Sequence, residues 1–238
     1  MGKNRILSVK NVTVRYGKSL AVDKVSLDIE EGAIVILVGA NGAGKTTILN
    51  VISGIVAPDA GEVLFDGTRI DGMPAFRIAR GGVVHVPEGR RLFATLSVED
   101  NLKLGAGKEA KDVKASMERI FEEFPILRSK KADKAGSLSG GQQQILAIAR
   151  ALMAKPRLLM LDEPCLGLAP VIIENLYSIV RNVNERGVSV LLAEQNVSLA
   201  VRLGTYGYAL AVGNVVLEGD MDKLRSGGAL SAAYLGEG

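Results

Sequence analysis

The chain has 238 residues, 47% hydrophobic and 23% charged, an ordinary globular composition with room for one large α/β domain or two small ones. Its 29 basic and 26 acidic residues leave a net charge of +3, too weak and dispersed to argue for nucleic acid. A single cysteine, Cys165, excludes an internal disulfide, and no run of about 18 apolar residues is present, so any membrane role is peripheral.

No leader pattern is expected at Met1-Gly2-Lys3-Asn4-Arg5, and Ile6 breaks the myristoylation pattern that Gly2 would begin. The first thirty residues alternate in polarity, which predicts two strands around the turn Tyr16-Gly17-Lys18-Ser19. The apolar run Ala33 to Val38 predicts a buried parallel strand, and Ile48 to Ile52 opens a helix. Pro58 to Gly61 reads as a turn and Glu62 to Gly67 as a short edge strand. Pro74 to Arg80 reads as a helical turn or two, and Val83 to Val86 as a strand ended by Pro87. From Val98 to Arg128 the period becomes helical, with a capping pattern at Ser97 to Asp100 and Met117, Ile120, Phe121 and Phe124 on one face. A further helix spans Leu138 to Met153, Leu158 to Leu161 is a core strand, and Val171 to Val183 is an amphipathic helix. Ser189 to Ala193 is the next core strand, followed by a short helix and a hairpin through Gly213-Asn214.

Three segments carry chemistry. Gly39-Ala40-Asn41-Gly42-Ala43-Gly44-Lys45-Thr46-Thr47 stands between a strand and a helix, the context that a G-x-x-x-x-G-K-[ST] match requires. Its glycines let successive N–H groups turn inward toward phosphate oxygens, and the helix N-terminus adds partial positive charge. Lys45 suits the β- and γ-phosphates, and the Thr46 hydroxyl suits Mg²⁺. The strand Leu158 to Leu161 ends in Asp162-Glu163, where Asp162 can complete a Mg²⁺ shell and Glu163 can take a proton from an attacking water. Leu138-Ser139-Gly140-Gly141-Gln142 is a second anion-binding helix start, and two such starts suit two different nucleotides.

Together these segments resemble the Walker A, signature and Walker B motifs of an ABC-transporter ATP-binding subunit, and the resemblance covers essentially the whole chain. It implies an α/β P-loop NTPase of the ABC ATPase type: a mainly parallel core sheet, an N-terminal antiparallel β subdomain and an inserted helical subdomain. It further implies one nucleotide-binding domain over 1–238, with core and β subdomain near 1–87 and 155–238 and the helical subdomain near 88–154. ATP would be held between the P-loop of one subunit and Ser139, Gly140, Gly141 and Gln142 of another, with Tyr16 stacked on adenine. Where the family usually has Gln, the chain has Glu88, within reach of Mg²⁺ or water. Where it usually has a switch His, the chain has Gln195, which can hydrogen-bond a γ-phosphate without carrying charge. The only histidine, His85, reads as a packed residue, and so does Cys165.

Val86 to Phe93, Glu163 to Pro170, Glu194-Gln195-Asn196 and the terminal Tyr234-Leu235-Gly236 are similar to one subfamily, the second ATP-binding subunit of the high-affinity branched-chain amino acid uptake system. That similarity implies ATP hydrolysis at the cytoplasmic face of the inner membrane, a sister ATPase as partner (or a second copy of this chain), two membrane permeases and an external substrate-binding protein. Permease contact is expected within Glu88 to Leu104. Two alternatives stay open at this point: an ATP-gated binding subunit with weak hydrolysis, motivated by Gln195 and Glu88, and an importer ATPase for another amino acid, an amide or urea. An ABC ATPase acting on DNA or the ribosome would need a long coiled-coil insertion or a second cassette, and the sequence has neither.

Overall fold

The computed structural model describes residues 4–107, 112–197 and 202–221. Two sheets form. The first is antiparallel, built from β1 (Arg5–Tyr16), β2 (Ser19–Glu30), β4 (Ala60–Phe65) and β5 (Thr68–Arg69) in the order β2-β1-β4-β5. The second has six strands, β3 (Ile34–Gly39), β6 (Val83–Val86), β7 (Leu158–Asp162), β8 (Ser189–Glu194), β9 (Tyr206–Ala211) and β10 (Asn214–Asp220), in the order β10-β9-β3-β8-β7-β6. Every pairing in it is parallel except β9 with β10.

The parallel strands are apolar on both faces because both faces are covered. Ile36, Leu159, Leu161, Val190 and Leu192 pack on one side with Leu146 and Ile148 of α6 (Gly140–Leu152) and Val180 of α7 (Pro170–Glu185). Val35, Leu37, Met160 and Leu191 pack on the other with Ile48, Leu49 and Ile52 of α1 (Lys45–Ile52) and with the antiparallel sheet through Val12, Val14 and Val22. Truncating a fully buried residue such as Leu37 to Ala would cost about 2–5 kcal/mol.

The short helix α2 (Ala75–Arg80) precedes β6. Between β6 and β7 run α3 (Val98–Ala106), α4 (Val113–Glu123), α5 (Pro125–Ser129) and α6. Ser97 caps α3 by accepting the Asp100 amide at 3.0 Å, and Met117, Ile120 and Phe121 bury one face of α4.

Two expectations need correction. The strand after Pro58 is not an edge: β4 lies between β1 and β5, because Thr68-Arg69 folds back to pair with Leu64-Phe65. The hairpin turn is Val212-Gly213 rather than Gly213-Asn214, with Val212 in left-handed backbone at φ 47 although it is β-branched and 90% exposed. Contacts across the fold impose this register. Gly213 donates its amide to the Ala43 carbonyl at 3.1 Å and accepts from the Asp23 amide at 2.8 Å. The short helix expected before the hairpin and Tyr234-Leu235-Gly236 fall outside the described residues.

Candidate active site

Parallel strands end together, so loops at their carboxyl ends collect at one edge of the sheet. Here β3, β8, β7 and β6 are neighbours, and their ends deliver the P-loop, Glu194-Gln195, Asp162-Glu163 and Glu88 to that edge. A cleft of about 430 Å³ results, lined by Ala21, the run Asn41 to Thr47, Glu88, Glu163, Leu166 and Gln195.

Gly44 N-caps α1 in left-handed backbone at φ 106, which favours glycine, and a Cβ there would lie 3.0 Å from the Ala21 carbonyl oxygen. The first-turn amides of α1 therefore open toward the cleft with no side-chain cap in competition. Lys45 is 5% exposed, and its ammonium has three partners. It donates to the Gly39 carbonyl at 2.7 Å and the Ala40 carbonyl at 3.2 Å, and it pairs with Glu163 Oε1 at 3.0 Å.

Glu163 sits in left-handed backbone at φ 46, a conformation costing on the order of 1 kcal/mol or more for a residue with a side chain. Three contacts hold it there. Its amide donates to the Ala193 carbonyl at 2.9 Å, its Oε2 accepts the Gln195 amide at 3.1 Å, and its Oε1 meets Lys45. Asp162, 2% exposed at the end of β7, has no partner in hydrogen-bond geometry for either oxygen. Burial pushes its carboxyl above the usual carboxylate range, countered by the adjacent Thr46 hydroxyl. Glu163 and Glu88 add repulsion that Lys45 partly offsets.

A buried, unpartnered carboxylate beside a hydroxyl is what a hard cation with oxygen ligands requires, so the residues present fit Mg²⁺. Among the described residues no group of three or more His, Cys, Asp or Glu forms a protein-only metal cage. Thr46 and Asp162 could supply part of such a site, of the kind completed by substrate phosphates and water.

The remaining candidates lie elsewhere. Ser139 caps α6 with a reciprocal capping box: the Gln142 amide donates to Ser139 Oγ at 3.4 Å and the Ser139 amide to Gln142 Oε1 at 3.1 Å. This helix start is not part of the cleft's lining. Gly141 is required by packing, because a Cβ there would meet Ile172 Cγ2 of α7 at 2.7 Å. Tyr16 ends β1, 51% exposed, and does not line the cleft either, whereas Ala21 of β2 does. His85 packs against Ser53, with Nδ1 3.4 Å from the serine Oγ, and burial pushes its imidazole down to about 4. Cys165 is buried, and burial together with the Glu194 charge pushes its thiol up, which makes it inert as a nucleophile.

Sequence reasoning misses Glu194. It is 2% exposed at the end of β8, accepts the Cys165 amide on Oε1 at 3.2 Å, and is pushed up to about 7 by burial and by Glu163. The signal for it is a carboxylate closing an otherwise apolar strand.

A P-loop, an acidic strand end beside it and a second capped helix start define an ATP-hydrolysing cassette, and the comparisons agree. The ABC transporter family model matches residues 22–166, more than half of the chain. The chain is 42% identical over 232 residues to the high-affinity branched-chain amino acid transport ATP-binding protein BraG of Pseudomonas aeruginosa, covering 97% of this chain and all of that one. It is 34% identical to BraF of the same organism, with 98% of each covered, and 33% identical to the lipopolysaccharide export system ATP-binding protein LptB of Escherichia coli K12, with 97% of each covered. Among solved structures, a nucleotide-free ATP-binding cassette from an ABC transporter superimposes with a TM-score of 0.87 at 26% identity, over 98% of this chain and all of that one. A dimeric post-hydrolysis state of the cassette MJ0796 bound to ADP and Pi gives 0.80 at 26% identity, over 90% and 98%. The chain belongs to the ABC transporter ATP-binding family. It is an ATPase subunit of a transporter and binds nucleotide, and no helix among the described residues is long and apolar enough to cross a membrane.

Proposed function

We propose that this chain is the ATP-binding and ATP-hydrolysing subunit of an importer for branched-chain amino acids, paired with a sister ATPase and seated on two permeases at the cytoplasmic face of the membrane. The 42% identity to BraG along 97% of the chain carries the substrate assignment, and the parallel similarity to BraF suits a heterodimer. The separation of the Ser139 helix start from the cleft supports a sandwich in which that start meets a partner's nucleotide.

The roles follow from the charges. Phosphates entering over α1 meet the P-loop amides and Lys45, whose ammonium is ion-paired with Glu163. A γ-phosphate competes with Glu163 for that ammonium, so nucleotide binding frees a carboxylate that was paired. Glu163 then orients and deprotonates the attacking water, while Gln195 hydrogen-bonds the γ-phosphate. Thr46 and Asp162 hold Mg²⁺, with Glu88 at the rim of the same cleft. When bound, Mg²⁺ neutralises charge on the β- and γ-phosphates. Tyr16 stacks on the adenine ring. Closure of two such subunits is driven by the difference in ATP affinity between open and closed states, and hydrolysis reverses it.

The LptB similarity motivates a second reading, in which cargo and direction differ. Uptake of labelled leucine, isoleucine and valine in cells whose only copy carries Glu163→Gln decides between them. Loss of that uptake, with glutamate and urea uptake unchanged, supports the proposal. Unchanged branched-chain uptake overturns the cargo.

A further inference from the structure

The role of Glu163 depends on the backbone that carries it, and one buried group reaches that backbone from the neighbouring strand. Glu163 begins the turn after β7 at a left-handed φ of 46, and the turn continues through Cys165 to Leu166, whose amide donates back to the Glu163 carbonyl at 3.2 Å. Two ties hold its first residue: the Glu163 amide to the Ala193 carbonyl and the Gln195 amide to the Glu163 carboxylate. The third tie holds the middle of the turn and runs from the Cys165 amide to the carboxyl of Glu194, at 3.2 Å. The residue at each end of this clasp is buried, Cys165 at 6% and Glu194 at 2% exposure, so no water substitutes for the bond.

We propose that Glu194 is a positioning residue for the hydrolytic base, fixing the left-handed turn that aims Glu163 by holding the Cys165 amide. The proposal rests on Glu163 being that base. Apart from backbone, the groups facing the Glu194 carboxyl are the Glu163 carboxylate from the end of β7, the Cys165 thiol in the turn and the Tyr177 hydroxyl from α7, with Arg202 acting on Tyr177. Among the described residues Glu194 forms no ion pair, and Lys45 pairs with Glu163. A charge on Glu194 is therefore a second buried negative charge beside Glu163 with no cation of its own. Burial already pushes this carboxyl up to about 7, so the charge appears near neutrality. The Cys165 amide binds the ionised carboxyl more strongly, but that charge repels Glu163, whereas the neutral acid shares its proton with Glu163 while still accepting the amide, and turnover falls as pH rises through about 7.

The test is the pH profile of ATP hydrolysis by the whole chain, from about pH 5.5 to about 9, for wild type, Glu194→Gln and Glu194→Ala, with KM for ATP read separately. Alanine leaves the buried Cys165 amide without an acceptor, and kcat is expected to fall roughly tenfold at about pH 6 with KM changed less than twofold. Glutamine keeps the acceptor and cannot ionise. It recovers most of that loss, and its kcat stays flat through about pH 7 where the wild type declines. A Glu194→Gln protein with the wild-type decline, or a Glu194→Ala protein with wild-type kcat, overturns the proposal. If Glu194→Ala does not fold, the Glu194→Gln profile alone decides. Glu163→Gln is assayed alongside. Full turnover there would sink the assignment of the base, whereas its loss, together with a Glu194→Gln profile no different from wild type, would sink only the positioning role.

Discussion

Asp162→Asn separates the two consequences of placing a carboxylate where nothing in the protein satisfies it. The side chain is 2% exposed, both oxygens lack hydrogen-bond partners, and its carboxyl is pushed up chiefly by burial. A carboxyl whose folded value is raised costs stability at every pH above its unfolded value, so at pH 7 the neutral amide removes a penalty. A neutral amide left without partners costs about 1–3 kcal/mol, and a buried, uncompensated charge costs more, several kcal/mol after relaxation. The Thr46 hydroxyl and Lys45 offset part of it here, which leaves a gain of ~1–2 kcal/mol. For a chain of this size, 1 kcal/mol moves Tm by about 2–4 °C, so the nucleotide-free Asn variant should melt about 2–8 °C above wild type. With Mg²⁺ and ATP the order reverses. At a hundredfold excess over Kd, wild type gains about 2.7 kcal/mol from ligand, and the Asn variant, deprived of an anionic metal ligand, gains little of it. Calorimetric melting of both proteins with and without Mg²⁺ and ATP reads both effects. An Asn variant that melts below wild type without nucleotide, or one that shows the full wild-type shift with it, would mean that Asp162 is neither an unpaired buried charge nor a metal ligand.

Glu163→Gln should lower kcat about a thousandfold, and because it frees Lys45 from a competing carboxylate it should bind ATP at least as tightly as wild type; single-turnover kinetics with equilibrium binding checks both. Gly141→Ala places a methyl 2.7 Å from Ile172 Cγ2, so urea unfolding should show a loss of about 1–3 kcal/mol, and an unchanged midpoint would mean that Ile172 gives way freely. His85 is buried neutral with its imidazole pushed down to about 4, so it opposes the fold as pH falls from about 6.5 toward 4. Wild type should therefore lose about 3 kcal/mol over that window relative to His85→Gln, measured by denaturant titration at each pH, and parallel curves would contradict the burial argument.

The strands and the P-loop are legible because each is written in consecutive residues. Ile34 to Val38 is continuously apolar and Gly39 to Thr47 carries its own spacing, so the strand and the turn are legible, while α1 begins at Lys45, three residues before the expected Ile48. The same holds for Ser139, whose capping box needs only Gln142 three residues on. What the sequence does not reveal depends on neighbours far along the chain. β4 becomes an inner strand only because Thr68-Arg69 doubles back onto it. Val212 occupies a left-handed turn position that its own side chain disfavours, because Gly213 is fixed by Ala43 and Asp23. Glu194 closes an apolar strand in sequence, and only the parallel pairing of β7 with β8 brings it to the Cys165 amide. Tyr16 is placed by family resemblance, and its position outside the cleft lining leaves adenine stacking to be tested by substitution.

In the proposed dimer, ATP is held between the P-loop of one subunit and the Ser139 helix start of another. That arrangement is tested most directly by the solution mass of Glu163→Gln protein, with and without Mg²⁺ and ATP, alone and mixed with the sister ATPase. A nucleotide-dependent shift from monomer to dimer is expected in at least one of those samples, abolished when Gly141→Ala is added. A protein that binds ATP yet stays monomeric in both would contradict it.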